Sequence, residues 1–191
     1  MQITLLNGAL NENDPTHAVA DLILAELDES PASVIYYPLH TIPIATCIGC
    51  FECWVKSPGE CRISDAGRDI ARDMIQSDVV LMLSPIPFGT YSSELKKVLD
   101  RAISLILPFF QMVDGEVHHQ PRYERYPSLI GIGVLPTPNA SLADLFDRLV
   151  GRHSINMHAP SHATLVVTLD QSEQDQQNAL RSVLSQLEGV K

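Results

Sequence analysis

Positive charge is scarce in this chain: 13 Lys and Arg stand against 23 Asp and Glu over 191 residues, a net charge of −10. Nucleic acid is held by a basic face, so this balance argues against a nucleic-acid partner and equally against docking on anionic lipid. No apolar run approaches the ~18–20 residues of a membrane-crossing helix. The opening segment, residues 1–8, lacks the basic stretch and long apolar run of a secretion signal. A cytoplasmic location is therefore expected, where thiols stay reduced. There is no internal repeat, low-complexity tract or G-x-S-x-G elbow, so hydrolysis by a serine nucleophile has no support.

Short apolar runs alternate with amphipathic stretches. Strands are expected over 2–6, 32–37, 78–83, 129–135 and 163–169. Helices are expected over about 14–29, 65–76, 92–107, 141–152 and 171–187. Asp14-Pro15-Thr16 reads as a helix cap followed by proline at the first helical position. Gly131 and Gly133 mark a strand that something approaches closely. Residues 111–127 read as a polar, proline-flanked loop with solvated His118 and His119. His158 and His162 straddle Pro160, which forbids one helical face. Strand–helix alternation predicts one α/β domain over 1–191, a doubly wound five-stranded parallel sheet with helices on both faces. Ligands of such sheets sit beyond the carboxyl ends of the strands.

All four cysteines, Cys47, Cys50, Cys53 and Cys61, fall inside a 38–65 segment with no sustained period, spaced C-x2-C-x2-C-x7-C. Confined in this way they form a unit. The first three match the ferredoxin run for an iron–sulfur cluster, and Pro58-Gly59 supplies a turn that returns Cys61. Ile48, Phe51 and Trp54 are placed to shield such a cluster. A zinc site usually pairs two separate C-x2-C knuckles, whereas these overlap. A dithiol switch and a loop of metal-free thiols stand as further readings.

The segment Cys47-Ile48-Gly49-Cys50-Phe51-Glu52-Cys53-Trp54, with Pro58-Gly59-Glu60-Cys61 and Asp65, resembles the cysteine segment of the flavodoxin-like NAD(P)H-dependent FMN reductases. Within that family it is most similar to the iron–sulfur flavoproteins. Residues 84–92, Ser-Pro-Ile-Pro-Phe-Gly-Thr-Tyr-Ser, resemble the family's flavin-ring loop, and residues 95–101 the helix after it. The resemblance implies strand order 2-1-3-4-5 and bound FMN. It also implies NAD(P)H as co-substrate, and a quinone, a free flavin or a redox protein as acceptor. A [4Fe-4S] cluster on Cys47, Cys50, Cys53 and Cys61 would serve as relay, in a homodimer or homotetramer. Ser84, Pro85, Ile86, Phe88, Gly89 and Thr90 are the implied ring contacts, with Phe88 or Tyr91 substituting for the aromatic that relatives carry at Pro87. The flavin would carry the chemistry, so no side chain is assigned as a catalytic acid or base.

One loop departs from the family. Relatives hold the flavin phosphate between strand one and helix one with Ser, Thr and a basic residue, using free N–H groups and the helix dipole. Here residues 8–17 carry Glu12 and Asp14 and no basic side chain but His17. A carboxylate ~5 Å from a phosphate costs about 3 kcal/mol per unit charge product at an effective dielectric of 20. An Asp14 cap would also take the N–H groups that the phosphate needs, and Pro15 removes one donor. Asn11, Asn13 and Thr16 remain as candidate phosphate contacts. The acidic loop keeps two alternatives in play: a non-enzymatic iron–sulfur electron-transfer or sensing module, and a metal-free binding protein.

Overall fold

The computed structural model describes residues 1–186; Leu187, the expected end of the last helix, lies outside them. The chain runs β1 (Gln2–Asn7), α1 (Thr16–Asp28), β2 (Ser33–Pro38), α2 (Glu52–Val55), α3 (Ala66–Gln76), β3 (Val79–Pro85) and α4 (Ser93–Arg101). It continues through β4 (Ile106–Val113), β5 (Glu116–Pro121), β6 (Ser128–Leu135), α5 (Ala140–Asn156), β7 (His162–Thr168) and α6 (Glu173–Leu184). Five strands pair in parallel in the order β2-β1-β3-β6-β7. That is the expected 2-1-3-4-5 order once the two strands of an inserted hairpin are counted.

Side chains alternate across β3, so one strand feeds two cores. Val79, Leu81 and Leu83 pack with Val19, Ile23 and Leu180 under α1 and α6. Val80 and Met82 pack with Ile70, Leu95 and Phe146 under α3, α4 and α5. The glycines of β6 are where the second layer presses closest. A Cβ at Gly131 would stand 2.4 Å from Val150 Cγ2, and one at Gly133 2.6 Å from Ile86 Cδ1.

Two expectations fail between α4 and β6. The helix expected to reach residue 107 ends at Arg101, followed by a 3₁₀ stretch over Ala102–Leu105. Pro108 disfavours α geometry at Leu107 and has no N–H to donate, so the chain leaves extended. The expected polar loop at 111–127 instead contains much of an antiparallel hairpin, β4 on β5. Its turn is Asp114-Gly115 with φ of 48° and 84°, the two-residue geometry that suits a twisted ribbon. His118 is accordingly buried, with Nδ1 2.9 Å from Asn156 Oδ1 and Nε2 3.1 Å from Glu116. His119 packs between Trp54 and Phe110, at ring distances of 5.0 and 4.6 Å. Neither is the solvated residue expected.

Candidate functional site

The sheet order reverses between β1 and β3, and the loops after these strands meet at the crevice where such folds bind ligands. The helical range of α1 opens at Thr16, but Pro15 already has φ −62° and ψ −13°. Asp14 Oδ1 accepts from Thr16 N at 2.9 Å and Oδ2 from Leu10 N at 2.8 Å. Asp14 therefore caps the helix and reaches back across its own loop. Burial alone would push its carboxyl up, but those two N–H groups, with His17 nearby, hold it below the ordinary carboxylate range.

Other donors in the loop are taken in the same way. Asn7 Oδ1 accepts from Ala9 N, and Asn11 Oδ1 from Asn13 N, both at 3.0 Å. Asp14 N donates to Asn11 O at 3.2 Å. His17 bridges Asn11 O, 3.0 Å from Nε2, and the Asn7 amide, 3.2 Å from Nδ1. Asn11 and Asn13 sit exposed on this loop; Thr16 is buried, and its Oγ1 has no partner among the described residues. As folded, the loop does not fit a phosphate. Its helix terminus already holds a carboxylate, and it offers no cationic side chain to offset a second anion.

The other implied flavin contacts divide. A rim cavity of about 300 Å³ joins Asn11, Asn13, Asp14 and Thr16 to Pro85 and Pro87, so the structure brings Pro85 together with the phosphate-loop candidates. Ser84 and Ile86 are buried and already bonded: Ser84 Oγ accepts from Ser92 N at 2.8 Å, and Ile86 N donates to Val134 O at 3.0 Å. Phe88 is 80% exposed. Gly89, at φ 72°, turns the chain against Leu145, and Thr90 is exposed; neither lines the rim cavity.

The cysteine loop is arranged otherwise. Left-handed backbone at Gly49 (φ 62°) and Phe51 (φ 57°) brackets Cys50, and α2 then carries Cys53 and Trp54. Trp54 Nε1 donates to Ile103 O at 3.1 Å and Ile106 O at 2.9 Å, tying the loop to the stretch after α4. Gly59 N donates to Cys53 O at 2.9 Å, and Arg68 Nε to Cys61 O at 2.7 Å, which fixes the return of Cys61. All four cysteines line one cavity, with apolar walls from Ile48 and Phe51. Cys53 is 7% exposed, Cys61 half-buried, Cys47 and Cys50 exposed. Burial pushes the Cys53 thiol up, and the other three cysteines add to that by lying near it.

Among the described residues no three His, Cys, Asp or Glu side chains gather around one metal-ion position. A tetrahedral ion bound at ~2.3 Å from each sulfur would need the thiols drawn together. Four thiols lining a shared cavity, with no carboxylate or imidazole among its lining, make an all-sulfur donor set. The donor set fits an iron–sulfur cluster.

Arg101 was missed as part of this site, although its sequence position carries a signal. It follows Val98 by three residues, on the stripe of α4 that also buries Leu95 and Leu99. It is 2% exposed, and Nη1 reaches both Asp65 oxygens at 2.5 and 2.6 Å. Burial would raise the Asp65 carboxyl, but Arg101 and the N–H groups of Ala45 and Gly67 keep it low.

Sheet order, layering and the rim loops define a flavodoxin-like α/β fold. Residues 1–117 match the model of the NADPH-dependent FMN reductases. The chain belongs to that family. It is similar to two iron–sulfur flavoproteins of Methanocaldococcus jannaschii, with 28% identity over 109 residues and 26% over 102, covering 57% and 53% of this chain. It spans about half the length of those relatives, 55% and 51%. Among solved structures, NAD(P)H:quinone oxidoreductase from Methanothermobacter marburgensis shares the fold. The TM-score is 0.70 over 99% of this chain and 96% of that one, at 9% identity. No helix among the described residues is long and apolar enough to cross a membrane.

Proposed function

We propose that this protein is a one-electron redox protein on the FMN reductase fold, with a [4Fe-4S] cluster held by Cys47, Cys50, Cys53 and Cys61. The observation that carries this reading is the convergence of all four cysteines on one cavity. Four thiolates on such a cluster allow it to take up and release single electrons. The chain's own part is to hold the thiols with Cys53 buried, stack Phe51 on Trp54, and anchor Trp54 on the backbone after α4. The cluster character of the two archaeal relatives supports the reading. The acidic surface suits a basic redox protein as electron partner.

A second reading is favoured by the rim cavity and by Thr16 Oγ1, which has no partner among the described residues. In it the protein is an NAD(P)H-dependent flavin enzyme passing electrons to a quinone, a flavin or the cluster. It requires a flavin held without its phosphate in the β1–α1 loop, or an Asp14 that gives way. One experiment separates the two: an absorption spectrum of protein purified without oxygen, with iron, sulfide and released-cofactor assays. The first reading expects broad cluster absorption, four irons and four sulfides per chain, and FMN well below one per chain. Protein that refuses iron and sulfide on reconstitution overturns it. FMN recovered at one per chain, with NADH or NADPH oxidation, establishes the second.

A further inference from the structure

We infer that Arg101 is a positioning and tuning residue of the cysteine site, clamping both stems of the loop and presenting its Nε–H and positive charge to the cluster beside Cys61. The inference rests on the cluster reading above.

Arg101 is the last residue of α4, where the helix dipole favours a cation. Besides the fork on Asp65, Nη2 donates to Ile63 O at 3.0 Å, and Nη1 lies 3.4 Å from Ala45 O. Asp65 Oδ2 in turn accepts from Ala45 N at 2.9 Å. Ala45 precedes Cys47 by two residues and Ile63 follows Cys61 by two, so one guanidinium and one carboxylate staple the stems together. The space for it is made by Gly67, where a Cβ would stand 2.8 Å from Arg101 Cζ.

Structural clamping uses only the two terminal nitrogens. The third, Nε, is buried and has no hydrogen-bond partner among the described residues. Buried donors of charged groups are costly to leave unmade, and the Cys61 sulfur lies within interacting distance of this guanidinium, so the orphan points to an acceptor on the sulfur side. The same side chain lines the cavity ringed by the four cysteines, and also the neighbouring cavity that holds Cys61. The other arginine at the cysteine cavity, Arg62, is engaged by Glu52 at 2.8 Å. Sulfur on a cluster is the acceptor that the cavity would supply.

The charges agree with this. Four thiolates on an oxidised [4Fe-4S]2+ core carry a net charge of −2, and uptake of one electron takes it to −3, with no proton required. A guanidinium keeps its charge at any physiological pH. A fixed cation and an N–H donor at the sulfurs both favour the more negative, reduced state, and so raise the potential.

The test is a redox titration, followed by electron paramagnetic resonance, on anaerobically reconstituted wild type, Arg101→Gln and Arg101→Lys, with iron and sulfide counted for each. Dithionite supplies the electron. Arg101→Gln is expected to lower the equilibrium constant for reduction at least tenfold, a fall of 59 mV for a one-electron couple. Arg101→Lys keeps the charge but loses the fork, and is expected to fall at least threefold while amide exchange quickens at 45–65. A purely structural clamp would change exchange and leave the potential unmoved. Unchanged potentials in loaded variants overturn the inference and leave the cluster reading standing. Wild type that takes up no iron overturns both. If Arg101→Gln does not fold, the potential of Arg101→Lys decides alone: at least a threefold fall supports the inference, and a smaller change overturns it.

Discussion

Two loops of this chain treat their hydrogen-bonding groups in opposite ways. In the β1–α1 loop the N–H groups of Ala9, Leu10, Asn13 and Thr16 are bonded to side chains of the same short segment. In the cysteine loop the four thiols face a common cavity, and a buried arginine nitrogen beside them has no partner among the described residues. A loop that satisfies itself is stable without a ligand and has little to offer one. A loop that leaves buried donors and soft ligands facing inward is incomplete until something fills it. Family membership alone would put the ligand at the first loop; the function proposed above puts it at the second.

The comparison can be broken most decisively at Cys53. Cys53→Ser is expected to reduce reconstituted iron from four to below one per chain, and full retention of iron would remove the basis for calling that loop the ligand site. The other side of the contrast is probed by Asp14→Ala. Freeing the N–H groups of Leu10 and Thr16 and removing an anion is expected to strengthen FMN binding about tenfold or more. Riboflavin, which lacks the phosphate, should gain little. Flavin fluorescence quenching measures both, and equal gains for the two ligands would mean that Asp14 does not govern phosphate access.

Gly67→Ala sharpens the cysteine side without touching a ligand. Forcing a methyl group against Arg101 Cζ is expected to cost about 1–3 kcal/mol in a urea titration. The smallest effect is the pH dependence of the Asp14 cap. Its carboxyl is held below its ordinary value of 3.8, so the cap's stabilisation is complete above that pH and is lost as pH falls through the lower, folded-state value. Wild type is expected to exceed Asp14→Ala by about 1 kcal/mol at neutral pH, with the gap closing below about pH 4. A gap constant down to pH 2 would show that the carboxylate is not the capping form.

Much of this was legible because it is local. Asp14-Pro15-Thr16 reads as a cap from three residues, and the cap is there, counted one position earlier than the helix proper. The glycines of β6 announced close packing, and Val150 and Ile86 are what they meet. The hairpin was equally local: Asp114-Gly115 between Val113 and Glu116 is a strong two-residue turn signal, obscured by the polar and proline-rich surroundings. Arg101 was harder to read. A cation on the buried stripe of α4 is visible in sequence, but not its partners, since Asp65 is 36 residues away and Ala45 is 56.

By itself, then, the sequence determined the alternation of buried strands and amphipathic helices, the clustering of the cysteines and the acidity of the first loop. Each of these is set by periodicity or by hydrogen bonds spanning a few residues. The tertiary structure decided that the thiols share one cavity, that no single-ion position forms among them in the described residues, and that the helix after β3 lends its terminal arginine to the site. Those outcomes depend on burial and charge brought together across the fold, where the cost of an unpaired buried group is set by neighbours distant in sequence.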